Sequence, residues 1–270
     1  MPLNSKHPLA LITGASAGLG AQFARACAAR GHDLVLVARR LERLEALGAE
    51  LTAAHGVQVQ SIRCDLGQVD AHLGVFAALG ERAGAVDVLV NNAGYGMAEE
   101  FDEAPWSAHQ AFLMTLLVNA CALAHGVIPG MKARGRGAII NVASLAGFAP
   151  GVASHSLYPA TKSFMIKFSQ ALHAELAGDG IRVTASCPGF THTEFHQANG
   201  TQAHMDRTPR FIWQSAQTVV ASALSANDRG KAVDIPGLHN RLAAAALRHL
   251  PQGLLAALAG RGVRRFGRRP

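Results

Sequence analysis

A chain of 270 residues, 49% hydrophobic and only 16% charged, carries enough apolar material for a large core, which excludes a disordered or fibrous protein. Its four cysteines contain no Cys-x-x-Cys pair, which excludes a disulfide framework or a zinc knuckle and suits a reducing, cytoplasmic compartment. The net charge of +7 gathers in a C-terminal run holding Arg261, Arg264, Arg265, Arg268 and Arg269, with no aromatic-plus-basic stripe beside it, so nucleic acid is not the expected partner.

In chain order, short apolar runs alternate with longer helical patterns. Strands are expected at residues 8–13, 33–38, 57–64, 86–91, 137–143 and 181–187, with a further short one at 231–235. Helices are expected at 19–30, 41–55, 69–83, 107–133 and 156–177. Strands apolar on both faces and separated by helices imply a parallel sheet covered on both sides, an α/β single doubly wound Rossmann sheet. No linker or repeat divides the chain, so residues 1–270 read as one domain. Within it, 190–230 reads as an irregular substrate-covering insertion and 240–270 as a basic helical extension. No transmembrane span is expected: residues 115–131 come nearest, and Asn119 and His125 interrupt them. The basic tail reads as a solvated segment, with contact to an anionic membrane surface or acidic partner as the sharper alternative.

The chemistry-bearing residues sit where such strands end. Thr13-Gly14-Ala15-Ser16-Ala17-Gly18-Leu19-Gly20 follows the first strand and opens the first helix, a setting in which glycines and free N–H groups cradle a pyrophosphate. The second strand ends in Arg39 and Arg40 where an acid would otherwise hold a ribose hydroxyl. A guanidinium there suits a 2′-phosphate and points to NADP(H). Asp65 and Leu66 follow the third strand, in place for an adenine, with a turn cap as the plainer reading. Asn91-Asn92-Ala93-Gly94 ends the fourth, where small residues leave room for a ligand. Tyr158 is one of only two tyrosines and stands four positions before Lys162 on one helix face, where the ammonium is expected to pull the phenol below its usual ~10.

The order TGxxxGxG, NNAG, a mid-helix Asn, a Ser after the fifth strand, YxxxK and PGxxxT resembles the short-chain dehydrogenase/reductase family, over about residues 8–195. The resemblance implies that Tyr158 is the proton donor, that Lys162 tunes it and binds the nicotinamide ribose, and that Ser144 polarises the substrate carbonyl. It implies that Asn119 holds a water leading from Lys162 to solvent. The stretch from Pro188 and Gly189 through Thr191 and Thr193 is implied to meet the carboxamide. Two departures stand out. Ser144 and Tyr158 are spaced one residue wider than the family usually shows, and Ala17 stands where many NADP users carry a base.

The expected function is an NADP(H)-dependent oxidoreductase acting on a ketone or secondary alcohol, with no metal. The substrate is a 3-oxoacyl thioester, a hydroxysteroid-like ketone or a xenobiotic carbonyl. Apolar residues at Phe190, Phe195, Phe211 and Trp213 favour a hydrophobic one. The rival reading is a non-catalytic NADP-binding sensor or scaffold, which gives no reason to keep Ser144, Tyr158, Lys162 and Asn119 together. A homo-oligomer through the long helices is expected from the family. His155, His192, His196 and His204 read as surface or lid residues.

Overall fold

The computed structural model describes residues 7–97, 99–151, 156–194, 209 and 212–249. Its strands are β1 (Leu9–Thr13), β2 (Asp33–Ala38), β3 (Val59–Arg63), β4 (Val86–Asn91), β5 (Gly137–Val142), β6 (Ile181–Ser186), β7 (Thr191–His192), β8 (Gln214–Ser215) and β9 (Val233–Asp234). Among the described residues, seven of them form one parallel sheet in the order β3-β2-β1-β4-β5-β6-β9. The winding direction reverses between β1 and β4, which opens a crevice above their C-terminal ends, the usual ligand position in such sheets.

Helices α1 (Gly18–Ala29), α2 (Leu41–His55), α3 (Ala71–Leu79), α4 (Trp106–Leu113), α5 (Asn119–Ala133), α6 (Leu157–Leu176), α7 (Ala216–Asp228) and α8 (Leu238–His249) cover the sheet. Side chains alternate across a strand, so each strand feeds two cores. Leu9, Leu11, Val35 and Val37 join Leu123, Val127, Met131 and Leu176 on one face. Ala10, Ile12, Leu34 and Leu36 join Phe23, Leu44, Val220 and Leu224 on the other. This is why the strands read as continuous apolar runs.

The helix expected at 107–133 is instead α4, a π turn (Met114–Val118) and α5 in succession. Residues 106–133 are long and apolar enough to cross a membrane by length and composition alone, yet Leu123, Ala124, Val127 and Met131 pack on the sheet as a core helix does.

One expectation needs correction. The pattern is not lost from 190 to 230, because Ala216–Asp228 is the helix α7, packed on α1 and β6. Its apolar positions Val219, Val220, Ala223 and Leu224 follow helical spacing and are buried. Its start is capped by Ser215, whose hydroxyl accepts from the Thr218 N–H at 3.1 Å. Residues 195–208 and 250–270 lie outside the described residues, and with them Phe195, His196, His204 and the arginine-rich run; so do His155 and Phe211.

Candidate active site

The crevice begins where β1 ends. Gly14 has φ +65°, and a Cβ there would stand 2.8 Å from Asn92 Nδ2. A Cβ on Gly20 would stand 2.2 Å from the Gly14 carbonyl oxygen, so α1 reaches its loop only without one. Ala17 leads into α1 with no side-chain cap and no acidic residue follows in its first turn. The first N–H groups of α1 thus face the crevice with the positive end of the helix dipole, an arrangement suited to an anion. Leu19 packs its side chain back against the core on that side of the sheet.

Thr13 and Asn92 lock this loop to β4. The Thr13 hydroxyl accepts from the Asn92 and Ala93 N–H groups, each at 3.0 Å. Asn92 Nδ2 donates to the carbonyls of Thr13 (3.0 Å) and Gly14 (3.2 Å). The bracing role of these two residues was not read from the sequence; polar side chains closing apolar strands were the available signal. Asn91 behaves differently from its neighbours. Its Nδ2 donates to Ala120 O and Asn141 Oδ1, both at 3.0 Å, so its side chain turns into the core and not into the crevice.

At the end of β2 the two arginines part company. Arg40 donates to the Ser16 hydroxyl from Nε (3.3 Å) and Nη2 (3.1 Å), and its Nη1 lies 3.4 Å from Glu194. Arg43 holds the same carboxylate at 2.8 Å. Against a desolvation that raises it, the hydrogen bonds and charges of Arg43 and Arg40 keep the Glu194 carboxyl below its ordinary value. Arg39 is exposed and forms no ion pair among the described residues. Asp65 accepts from the Gly67 N–H at 3.0 Å, the turn-cap geometry, and remains exposed.

On the far side of the crevice three of the expected catalytic side chains meet. Ser144 follows β5 and opens a 3-10 turn (Leu145–Phe148). Its hydroxyl accepts from the Ala146 N–H at 3.1 Å and hydrogen-bonds Tyr158. The turn lies directly on α6: a Cβ on Gly147 would stand 2.7 Å from Ile166 Cδ1 and 2.8 Å from the Lys162 carbonyl carbon. The wider Ser144–Tyr158 spacing therefore does not separate the pair.

Lys162 is buried, and Nζ donates to Val142 O at 2.8 Å while standing 5.6 Å from the Tyr158 ring centroid. Burial pulls the lysine down to about 8. The phenol moves opposite to expectation: burial pushes Tyr158 above its ordinary value, and the Ser144 hydrogen bond opposes it. A Cβ on Gly94 would come within 3.5 Å of Leu116 and 3.8 Å of Lys162 Nζ, so Gly94 and Leu116 form the floor beneath the lysine.

Asn119 does not join this cluster. It is fully buried, its Nδ2 donates to Leu66 O (2.8 Å) and Gln68 O (2.9 Å), and its Oδ1 accepts from the His72 N–H (3.1 Å). His72 Nδ1 adds a contact at 2.9 Å. Its carboxamide is spent on the chain entering α3, which leaves its main-chain carbonyl as the group for a water beside Lys162. The buried carboxamide is satisfied by these bonds, which tie α5 to the loop after β3.

After β6 the chain returns over the crevice. The Leu145 N–H donates to Pro188 O at 2.9 Å, which joins the Ser144 turn to this segment. Thr191 donates to Gly189 O at 3.1 Å. A Cβ on Gly189 would stand 2.4 Å from Asn240 Oδ1, and Asn240 Nδ2 donates to Gln214 Oε1 (3.0 Å) and Pro236 O (2.8 Å). Thr193 reaches the glycine loop, its Cβ 3.2 Å from where a Gly18 Cβ would sit. Phe190 and Trp213 lie 5.5 Å apart, and His192 stacks on Trp213 at 4.8 Å. Asn240, Gln214, Arg43 and Glu194 are further residues of this rim that the sequence did not single out; they come from elements distant in the chain.

This geometry has counterparts. Residues 8–204 match the model of the short chain dehydrogenase family. The chain is 41% identical over 202 residues to a sulfoacetaldehyde reductase of Chromohalobacter salexigens, covering 72% of this chain and 78% of that one. A short-chain dehydrogenase from Sphingobium yanoikuyae, solved in complex with NADPH, superposes with a TM-score of 0.78 at 35% identity, covering 97% and 96% of the two chains. A bulky-bulky ketone specific alcohol dehydrogenase from Comamonas testosteroni superposes with a TM-score of 0.75 at 30% identity over 98% and 96%.

Proposed function

The chain belongs to the short-chain dehydrogenase family, and on that premise we propose that it is an NADP(H)-dependent oxidoreductase interconverting a ketone and a secondary alcohol. The observation that carries the reading is the meeting of Ser144, Tyr158 and Lys162 beside Gly94, at the edge of the crevice between β1 and β4.

The residues present fit the dinucleotide. Gly14 and Gly20 leave a cradle that a side chain would fill, and the uncapped start of α1 supplies N–H donors for a pyrophosphate. Arg39, with Arg40 and Ser16, would hold a 2′-phosphate; Asp65 and Leu66 would flank the adenine. Ala93, Gly94, Pro188, Gly189, Thr191 and Thr193 line the nicotinamide end. When bound, the cofactor supplies the hydride. The protein manages the proton: charge develops on the carbonyl oxygen, Tyr158 gives that oxygen its proton, and Ser144 donates a second hydrogen bond to it. Lys162 faces the ribose and favours the phenolate once Tyr158 has given its proton up.

Phe148, Phe190 and Trp213 offer apolar surface near the mouth, which supports a ketone with a hydrophobic flank. The relatives' carbonyl substrates, a sulfoacetaldehyde and a bulky ketone, support the carbonyl class and leave its size open. The broader frame is a single-domain, cytoplasmic homo-oligomer. Val118 and Phe164, each more than 40% exposed on the long helices, support the association.

The test is direct. Purified protein, NADPH and a panel of ketones of graded size are mixed, and nicotinamide absorbance is followed. Turnover of an apolar ketone, with NADH much poorer, is the expected result. Tight NADPH binding with no turnover across ketones, aldehydes and the reverse alcohols would sink the reading and favour a sensor.

A further inference from the structure

We infer that the cleft at the opposite end of the sheet, beneath the N-terminal ends of β1, β2, β4, β5 and β6, is a second ligand site for a compact phosphate-bearing molecule that also carries a hydroxyl or ammonium donor. The cleft encloses about 600 Å³, within the range of small-molecule sites. Leu9 lines it while Thr13, at the other end of the same strand, braces the glycine loop. At about 3.3 Å per residue the two lie roughly 13 Å apart, so the cleft is separate from the crevice.

Its charge is lopsided. Arg82, Arg134, Arg136 and Arg182 face Asp33 and Asp87. Asp87 is spoken for: Oδ2 accepts from the Leu9 N–H at 3.1 Å, and Oδ1 lies 3.3 Å from Arg134 Nε and 3.4 Å from Arg136 Nε. Arg134 also donates to Val86 O at 2.6 Å and to Gly84 O. Burial holds His32 below its ordinary value, so its imidazole adds no charge at neutral pH.

What remains in the cleft are three buried atoms without a hydrogen-bond partner, of which Arg134 Nε has the Asp87 ion pair beside it and the other two have none. Arg82 donates to Gln60, yet its Nη1 is buried without a partner. Asp33 is 1% exposed; Oδ1 accepts from the Gln58 N–H at 2.8 Å and lies 3.4 Å from His7 Nδ1, while Oδ2 is buried without a partner. Arg182 is exposed at the rim and has no ion pair among the described residues. A buried orphan donor and a buried orphan acceptor in one cleft are costly unless something completes them. An anionic group meets Arg82 and Arg182, and a donor on the same molecule meets Asp33 Oδ2. A bare polyanion satisfies only the first demand.

The experiment uses the full chain saturated with NADPH, titrated calorimetrically with glucose 6-phosphate, inorganic pyrophosphate and glucose. One equivalent of glucose 6-phosphate is expected to bind with Kd of about 1 mM or below, more tightly than pyrophosphate, and glucose not at all. Arg182→Ala should weaken both phosphates about tenfold, the scale of a lost charged contact. Asp33→Asn keeps the acceptor for Gln58 and removes a negative charge; it should tighten pyrophosphate several-fold and erase the preference for glucose 6-phosphate. Arg39→Ala should change none of this. No phosphate binding, or binding lost in Arg39→Ala but indifferent to Arg182→Ala and Asp33→Asn, would overturn the inference.

Discussion

The two walls of the crevice are built by different means. Toward β1 and β2, the backbone does the recognising: Gly14, Gly18 and Gly20 are places where a Cβ would touch other atoms, and Thr13 and Asn92 bind main-chain groups. Toward β5 and β6, side chains from separate elements converge, with Ser144 from a turn and Tyr158 and Lys162 from α6. The first wall tolerates almost no added volume. The second absorbs an extra residue in its connecting segment yet depends on single polar atoms.

The sharpest test of that contrast is Tyr158→Phe, which removes one oxygen and leaves the other wall intact. It should lower kcat about 10²–10⁴-fold, the usual worth of a proton donor, while NADPH affinity measured by fluorescence stays near that of the wild type. Equal loss of binding would mean the walls are not separable.

Next comes Lys162. Its value falls from 10.5 in the unfolded chain to about 8 in the cofactor-free fold. Below pH 8 the buried ammonium costs stability in full. Between those two values the unfolded chain holds a proton that the folded one has lost, so stability rises with pH, and above the unfolded value the cost is gone. Chemical denaturation at pH 7 and pH 10 should show the wild type gaining on the order of 3 kcal/mol relative to Lys162→Met. Parallel curves for the two proteins would show that the lysine is not strained by its surroundings.

On the first wall, Arg39→Ala should weaken NADPH by about 1–3 kcal/mol and hardly alter NADH, read by titration with each cofactor. The smallest effect concerns Glu194, which competes for Arg40 and Arg43 at an exposed site. Glu194→Gln should tighten NADPH by no more than about 1 kcal/mol, and should do so less at high salt. A tightening of NADH to the same degree would show that the carboxylate acts on lid order and not on the 2′-phosphate.

The strands were legible because each is apolar along its whole length, and β2, α2 and β4 fall where the residue pattern placed them. The glycine loop and the Tyr158–Lys162 pair were legible because their chemistry lies within a few consecutive residues. Three things were not. Helix α7 was hidden by the polar, aromatic stretch before it, although Val219, Val220, Ala223 and Leu224 carry its period. Asn119 was assigned by residue type, and only the fold shows its amide turned toward Leu66, Gln68 and His72. The direction of the Tyr158 shift follows from its burial in the fold, which residue type and spacing do not carry.

The single bond from the Leu145 N–H to Pro188 O has a mechanical meaning. It makes the loop bearing Ser144 and the strand exit leading toward Thr193 one rigid bracket, braced again by Asn240 behind Gly189. On the proposed reading of Tyr158, a shift of the Pro188 segment would carry to the hydroxyl beside it, gearing entry of a molecule to the proton it is to receive.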